Sequence, residues 1–242
     1  MNRSSFALGL ALALNAVAAV AAAPPSQPLS RFNAGLAVAY GRYLPFGGLN
    51  PVTAIEMDAR LHIGRLYTDS TLRGGLGHIH NNSAFDYLRA YSLSQRIGWI
   101  IRPRENFWIV PFARGALDLD SAGGLQTGVP ATGLVKTVLG SNPNRIKRGY
   151  ELGGGVEFQV ALGSRLVLAP FFDVNYLHRV ADVIEANGNV TQTYGDFTAF
   201  HYGAAADLRL IGPLDLYADI RSDRISGHGS ALAYAGGLAL RF

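Results

Sequence analysis

Three short constellations in this 242-residue chain carry residue types that do chemistry. Asp118-x-Asp120 sets two carboxylates on one face of an extended strand, because side chains two apart point the same way. His228-x-Ser230 puts a histidine beside a candidate nucleophile. Such a histidine needs an acid to orient it, and Ser230 to Phe242 contains none. His78-x-His80 has strand spacing for two metal ligands. No third ligand stands nearby, so the pair reads as solvated loop, and neither a metal nor any other cofactor is expected.

Many more ionisable residues share one face of alternating strands. Strand two, about 53–66, is the clearest: Ile55, Met57, Ala59, Leu61 and Ile63 on one side, Glu56, Asp58, Arg60 and His62 on the other. Strand one, about 33–44, alternates Leu36, Val38 and Tyr40 with Gly35, Ala37, Ala39 and Gly41. Thr71–His80 reads as a third strand after a turn at Thr68-Asp69-Ser70. Asp86–Ile101 follows with Tyr91, Leu93, Ile97 and Trp99 on one face, broken at Gln95 by a β-bulge. Two later segments are weak copies, Ile109-Val110-Pro111-Phe112-Ala113-Arg114 and Leu168-Ala169-Pro170-Phe171-Phe172-Asp173. Proline is penalised in a fully paired strand, which places both prolines near a rim. Gly149–Leu162, Phe197–Leu210 and Leu214–Ile225 alternate likewise. The last strand ends Leu232, Tyr234, Gly236, Leu238, Leu240, Phe242 on one parity and is small or basic on the other. This makes ten strands, with eight as the alternative if Thr71–His80 is loop. Short turns at 102–106, 163–164 and 211–213 alternate with longer loops at 121–147 and 182–195. In the first of these loops Thr132–Leu139 is apolar enough for a short helix.

Composition narrows the class. Cysteine is absent, glycine numbers 29 and charged residues make up 16%. No disulfide or thiolate metal site exists. Lys and Arg form no stripe interleaved with aromatics, which sets nucleic acid aside. Met1-Asn2-Arg3, the apolar run Phe6–Leu14 and the alanine-rich Ala16–Ala23 read as a cleaved secretory signal peptide. The expected cut leaves residues 1–22 as signal and 23–242 as one barrel domain, with a cut after 23 as the alternative.

Gly237, Leu240 and Phe242 are similar to the C-terminal assembly signal of Gram-negative outer-membrane β-barrels. With the alternating strands and the leader, the chain resembles the small porin-like and opacity-type members of that class. The resemblance implies an all-β, transmembrane, antiparallel up-and-down barrel in the outer membrane, with outer-membrane lipids and the barrel-insertion machinery as partners. It also makes the polar face a lumen lined by Glu56, Asp58, Arg60, His62, Arg96, Arg114, Asp118, Asp120, Glu151, Glu157, Asp173, Arg179, His201, Asp207, Arg209, Asp215, Asp219, Arg221 and Asp223. In so narrow a barrel side chains fill much of the interior, and buried charges must pair or stay wet. A structural salt-bridge network is therefore favoured over a narrow channel for small polar solutes.

Enzyme readings come last. Asp118 and Asp120 resemble the acidic pair of the omptin proteases, which also need Asp-x-His; this sequence has none, so His201 or His228 would have to substitute. His228-x-Ser230 resembles the outer-membrane lipid A deacylases, without their orienting acid. The alternative to a structural or porin-like barrel is thus a membrane-embedded hydrolase, and the expectation is that the chain is not an enzyme.

Overall fold

The computed structural model describes residues 32–42, 51–77, 87–123, 143–185, 187–227 and 229–241. Its strands are β1 (Phe32–Arg42), β2 (Pro51–Ile63), β3 (Leu66–Gly77), β4 (Tyr87–Trp99), β5 (Ile101–Arg104), β6 (Phe107–Gly123), β7 (Pro143–Leu162), β8 (Leu166–Ile184), β9 (Val190–Arg209), β10 (Leu214–Ile225) and β11 (Gly229–Arg241). β4 and β5 are two parts of one wall strand, separated at Ile100, so the closed antiparallel barrel has ten strands. Neighbours in sequence pair with each other, and β1 closes on β11 from Asn33↔Arg241 to Gly41↔Ala233. Closure gives every wall strand two neighbours, the condition for crossing a bilayer with sheet.

Its polarity is inside out. Leu36, Val38, Ile55, Met57, Leu93, Ile97, Leu117, Leu152 and Leu238 face outward at 48–61% exposure, while Asp173 is 0% exposed. An apolar surface of this extent is a lipid-facing band. Aromatics flank it. Tyr40 stands opposite Tyr234, and the Tyr150 and Tyr176 rings lie 6.3 Å apart toward the same rim. At the other rim Phe107 and Phe158 stack at 6.3 Å, near the exposed Trp99. Paired girdles of this kind mark the two interfaces of a membrane barrel.

The inner wall is uneven. Ala37, Ala39, Ala54, Ala169, Ala205 and Ala235 pack with Tyr217, so small residues on one side leave room for large ones projecting from the other. On β7, a Cβ at Gly155 would lie 2.1 Å from the Phe172 carbonyl oxygen. No side chain fits there, and β8 approaches closely enough to bring Asp173 inward.

Several local expectations change. The turn before β3 is at Gly64-Arg65, where Gly64 takes a φ of 62°. Thr68, Asp69 and Ser70 lie within β3 and pair with Leu61, Arg60 and Ala59. The third strand is therefore Leu66–Gly77, not Thr71–His80. No bulge occurs at Gln95, since the ladders to β3 and β6 run through it in register. The Ser70 hydroxyl donates to Gln95 Oε1 at 2.5 Å instead, satisfying a polar group on the outer face. β6 runs to Gly123 and β7 starts at Pro143, and only residues 185–189 separate β8 from β9. Both outer loops are therefore shorter than 121–147 and 182–195. Thr132–Leu139 lies outside the described residues. Of the turn read at 102–106, only Glu105 and Asn106 turn.

The prolines are not at the rim. Each is the fifth residue of its strand, and each sits at a gap in a ladder. The β7–β8 register passes from Val160↔Leu168 to Glu157↔Phe171, skipping Pro170. β6 pairs Gly98 with Phe112 and then Ile101 with Ile109, so the β4–β5 interruption lies across from Pro111. A residue without an N–H cannot extend the ladder on that side.

Candidate functional site

The alternation that puts leucines in lipid puts charges in the lumen, and strand closure decides which of them meet. Arg60 on β2 donates to Asp207 of β9 at 2.8 Å. These strands lie on opposite sides of the barrel, so the contact crosses the lumen. Arg60 also reaches Asp69 at 4.0 Å and lies 5.2 Å above the Tyr217 ring.

Arg96 on β4 is the most connected cation. It is 3.9 Å from Asp69, 3.5 Å from Glu157 and 3.8 Å from Asp173. Its guanidinium lies between the rings of Phe112 and Phe171, at 4.9 and 4.5 Å. Those phenylalanines are the matching positions of the two similar Pro-Phe segments. Cation–π contact with two rings helps hold the group in place beside the acids. Gln159 donates to Glu157 at 2.6 Å and Asn175 to Asp173 at 2.5 Å.

Nearer the outer mouth, Arg114 pairs with Glu151 and lies 3.8 Å from Asp173. His201 is bracketed by two carboxylates, Asp223 at Nδ1 (2.7 Å) and Glu151 at Nε2 (3.0 Å). Arg221 Nε is 3.3 Å from Asp223. The contacts join into one run of alternating sign: Asp207, Arg60, Asp69, Arg96, Asp173, Arg114, Glu151, His201, Asp223, Arg221. Beside it Arg73 donates from Nε to Glu56 at 2.6 Å, and Thr71 donates to Asp58 at 2.8 Å.

The remaining sequence candidates lie off this run. Asp118 and Arg179 line a cavity above it. Asp120 is buried on the same wall as Asp118, and Asp219 is half-buried on β10. His62 packs edge-on against Tyr67, with ring centroids 5.2 Å apart. Arg209 is directly across from Asp215, and Arg241 is 3.5 Å from Asp215. Gly237 is inside β11, where a Cβ would lie 2.1 Å from the Leu36 carbonyl oxygen. Leu240 is on the outer face at 47% exposure. Phe242, His78, His80 and His228 are outside the described residues.

Sequence reasoning missed Asp69, Arg73, Phe112 and Phe171 as interior groups. A turn at Gly64-Arg65 would have put Asp69 and Arg73 on the inner parity. The phenylalanines carry no charge to flag them.

His201 has both ring nitrogens committed to carboxylates, so neither is open to take a proton from a serine or a water.

No protein-family model matches the sequence, and no curated protein matches it. Among solved structures, the barrel is similar to Neisserial surface protein A (12% identity, 88% of this chain, 98% of that chain, TM-score 0.38). It is similar to the translocator domain of the autotransporter NalP from Neisseria meningitidis (14%, 99%, 98%, 0.45). It is also similar to a major outer membrane protein from Thermus thermophilus (13%, 86%, 99%, 0.36). The architecture stands on the strand register, and it is that of an outer-membrane-type β-barrel.

Proposed function

We propose that this chain is an exported outer-membrane protein of the surface-structural kind, whose barrel is closed to solutes by its own side chains. The observation that carries the reading is the pair of contacts that cross the lumen, Arg60–Asp207 at 2.8 Å and Arg96–Asp173 at 3.8 Å. Each spans the interior at a different point of one ion-pair run. A guanidinium held over two phenylalanine rings does not swing aside as an exposed lysine would. A buried charge released from its partners costs about 3–5 kcal/mol, which keeps the lumen shut at rest.

Residues 1–22 serve as the export signal on this reading, and Gly237, Leu240 and Phe242 present the last strand to the insertion machinery. The lipids of the outer membrane contact the apolar band. The test is reconstitution into planar bilayers. The expected result is low or no conductance. A large, steady conductance would overturn the closed reading and favour a channel for small polar solutes. The hydrolase reading predicts cleavage of dibasic peptides or of lipid A; the engagement of both His201 nitrogens speaks against His201 as the base of its protease form.

A further inference from the structure

Above the ion-pair run, toward the outer ends of the strands, the lumen holds a small cavity of about 50 Å³. Ile225, the last residue of β10, is on its wall, and the Arg114–Asp173–Arg96 contacts lie beneath it. A solute held there would rest on that floor. The wall carries four arginines (Arg73, Arg114, Arg179 and Arg221) against three carboxylates.

These groups are not equally occupied. Arg73 is held by Glu56 and Arg114 by Glu151. Arg221 makes one contact, through Nε to an Asp223 that His201 already engages. Its two terminal nitrogens have no partner among the described residues, and Arg179 has no hydrogen bond or ion pair among them. Ser92 and Ser94, also on the wall, have hydroxyls without a partner among the described residues. Arg73, Ser92, Asp118, Gly149 and Arg179 form one cross-strand row. Gly149 has no side chain, and the Arg179 stem lies over it, its Cγ 3.7 Å from where a Cβ would stand, on the row that carries Asp118.

From these uncommitted donors we infer that the cavity is a binding site for a small solute bearing an oxyanion, a carboxylate or a phosphate. Arg179 and Arg221 grip the anion, and Ser92 and Ser94 supply neutral donors. Guanidinium is the side chain best matched to such groups, because its planar fork meets two oxygens at once. A cation would find only Asp118 open, since Glu151 and Asp223 are already neutralised. The inference does not depend on whether the lumen conducts.

The test is calorimetric titration of the purified, detergent-solubilised barrel with inorganic phosphate. Ionic strength is held constant with sodium chloride so that general screening does not vary. Wild type should bind phosphate saturably. Arg179→Gln and Arg221→Gln should each raise Kd about tenfold, the loss of a charge-assisted contact. Asp118→Asn should tighten binding, because it removes the one open like charge. Absence of saturable binding in wild type overturns the site, as does an unchanged Kd in Arg179→Gln. If the arginine variants do not fold, Asp118→Asn decides: unchanged or weaker phosphate binding there also overturns it.

Discussion

Arg114 on β6 and Asp173 on β8 lie 3.8 Å apart, although a whole strand, β7, separates theirs. Gly153 and Gly155 of β7 make this possible. They pair with Arg114 and Asp173 respectively, and neither has a side chain to stand between them. The arginine of one Pro-Phe segment and the aspartate of the other are thereby joined over the intervening strand, and the charge run becomes continuous.

The same run predicts which arginine closes the barrel. Removing Arg114 leaves Glu151 with His201 at 3.0 Å and Asp173 with Arg96 at 3.8 Å. Removing Arg96 strips a neighbour from Asp69, Glu157 and Asp173 together and empties the gap between two rings. In planar bilayers Arg96→Ala should open frequent conductance steps, and Arg114→Ala should raise conductance less. Equal silence in both would remove these arginines from the closure.

The two faces of β2 should respond differently to a new charge. Met57 is four residues from the Tyr40–Thr53 pair and seven from the Gly64 turn, well inside the apolar band, and is 54% exposed outward. Met57→Arg should lower stability by about 2–4 kcal/mol, and Leu61→Arg, two residues from the strand end, by about 0–1 kcal/mol. Urea titrations of the protein folded into lipid vesicles measure both. A larger loss at Leu61 would mean that the membrane midplane is set too far from the turn.

Arg60→Leu should also be costly, about 3–5 kcal/mol, because it strands Asp207 in the interior. Adding Asp207→Leu should recover most of the loss, since a lone buried charge is worse than none. A double variant less stable than Arg60→Leu would show that Arg60 acts mainly through Asp69 or the Tyr217 ring. Heat-driven gel mobility and denaturant midpoints give the four corners of this cycle.

The strands were legible in the sequence wherever lipid and lumen impose opposite polarities, as from Ile55 to Ile63. They were illegible outside the bilayer. The upper parts of β8 and β9, such as Asp182 and Gln192, face water on their outer side; the two side chains bond at 2.6 Å, and no apolar alternation marks them. Thr68-Asp69-Ser70 has the composition of a turn, yet Asp69 is drawn inside by Arg60 and Arg96, and Gly64 takes the turn. Inner-face membership followed from parity alone. Partners did not: Arg60 and Asp207 are 147 residues apart in sequence, and only the closure of β1 on β11 and of β4 on β6 brings their strands to face each other.

The closing strand yields the last prediction. β11 pairs with β10 on one side and β1 on the other, so the barrel cannot close before it is in place. Its inner parity is Ala231, Ala233, Ala235, Gly237 and Ala239, too small to anchor it by packing, and its outer parity ends on Leu238 and Leu240. If Gly237, Leu240 and Phe242 act as the proposed assembly signal, delivery of this strand depends on its apolar edge and on Phe242. Deleting Phe242 or replacing it with Asp should cut the yield of the compact, heat-modifiable form in the outer membrane. Replacing Leu134 or Val135 in the long loop with Ser should not. Equal yields for both kinds of variant would show that the closing strand is recruited through its pairing with β10 alone.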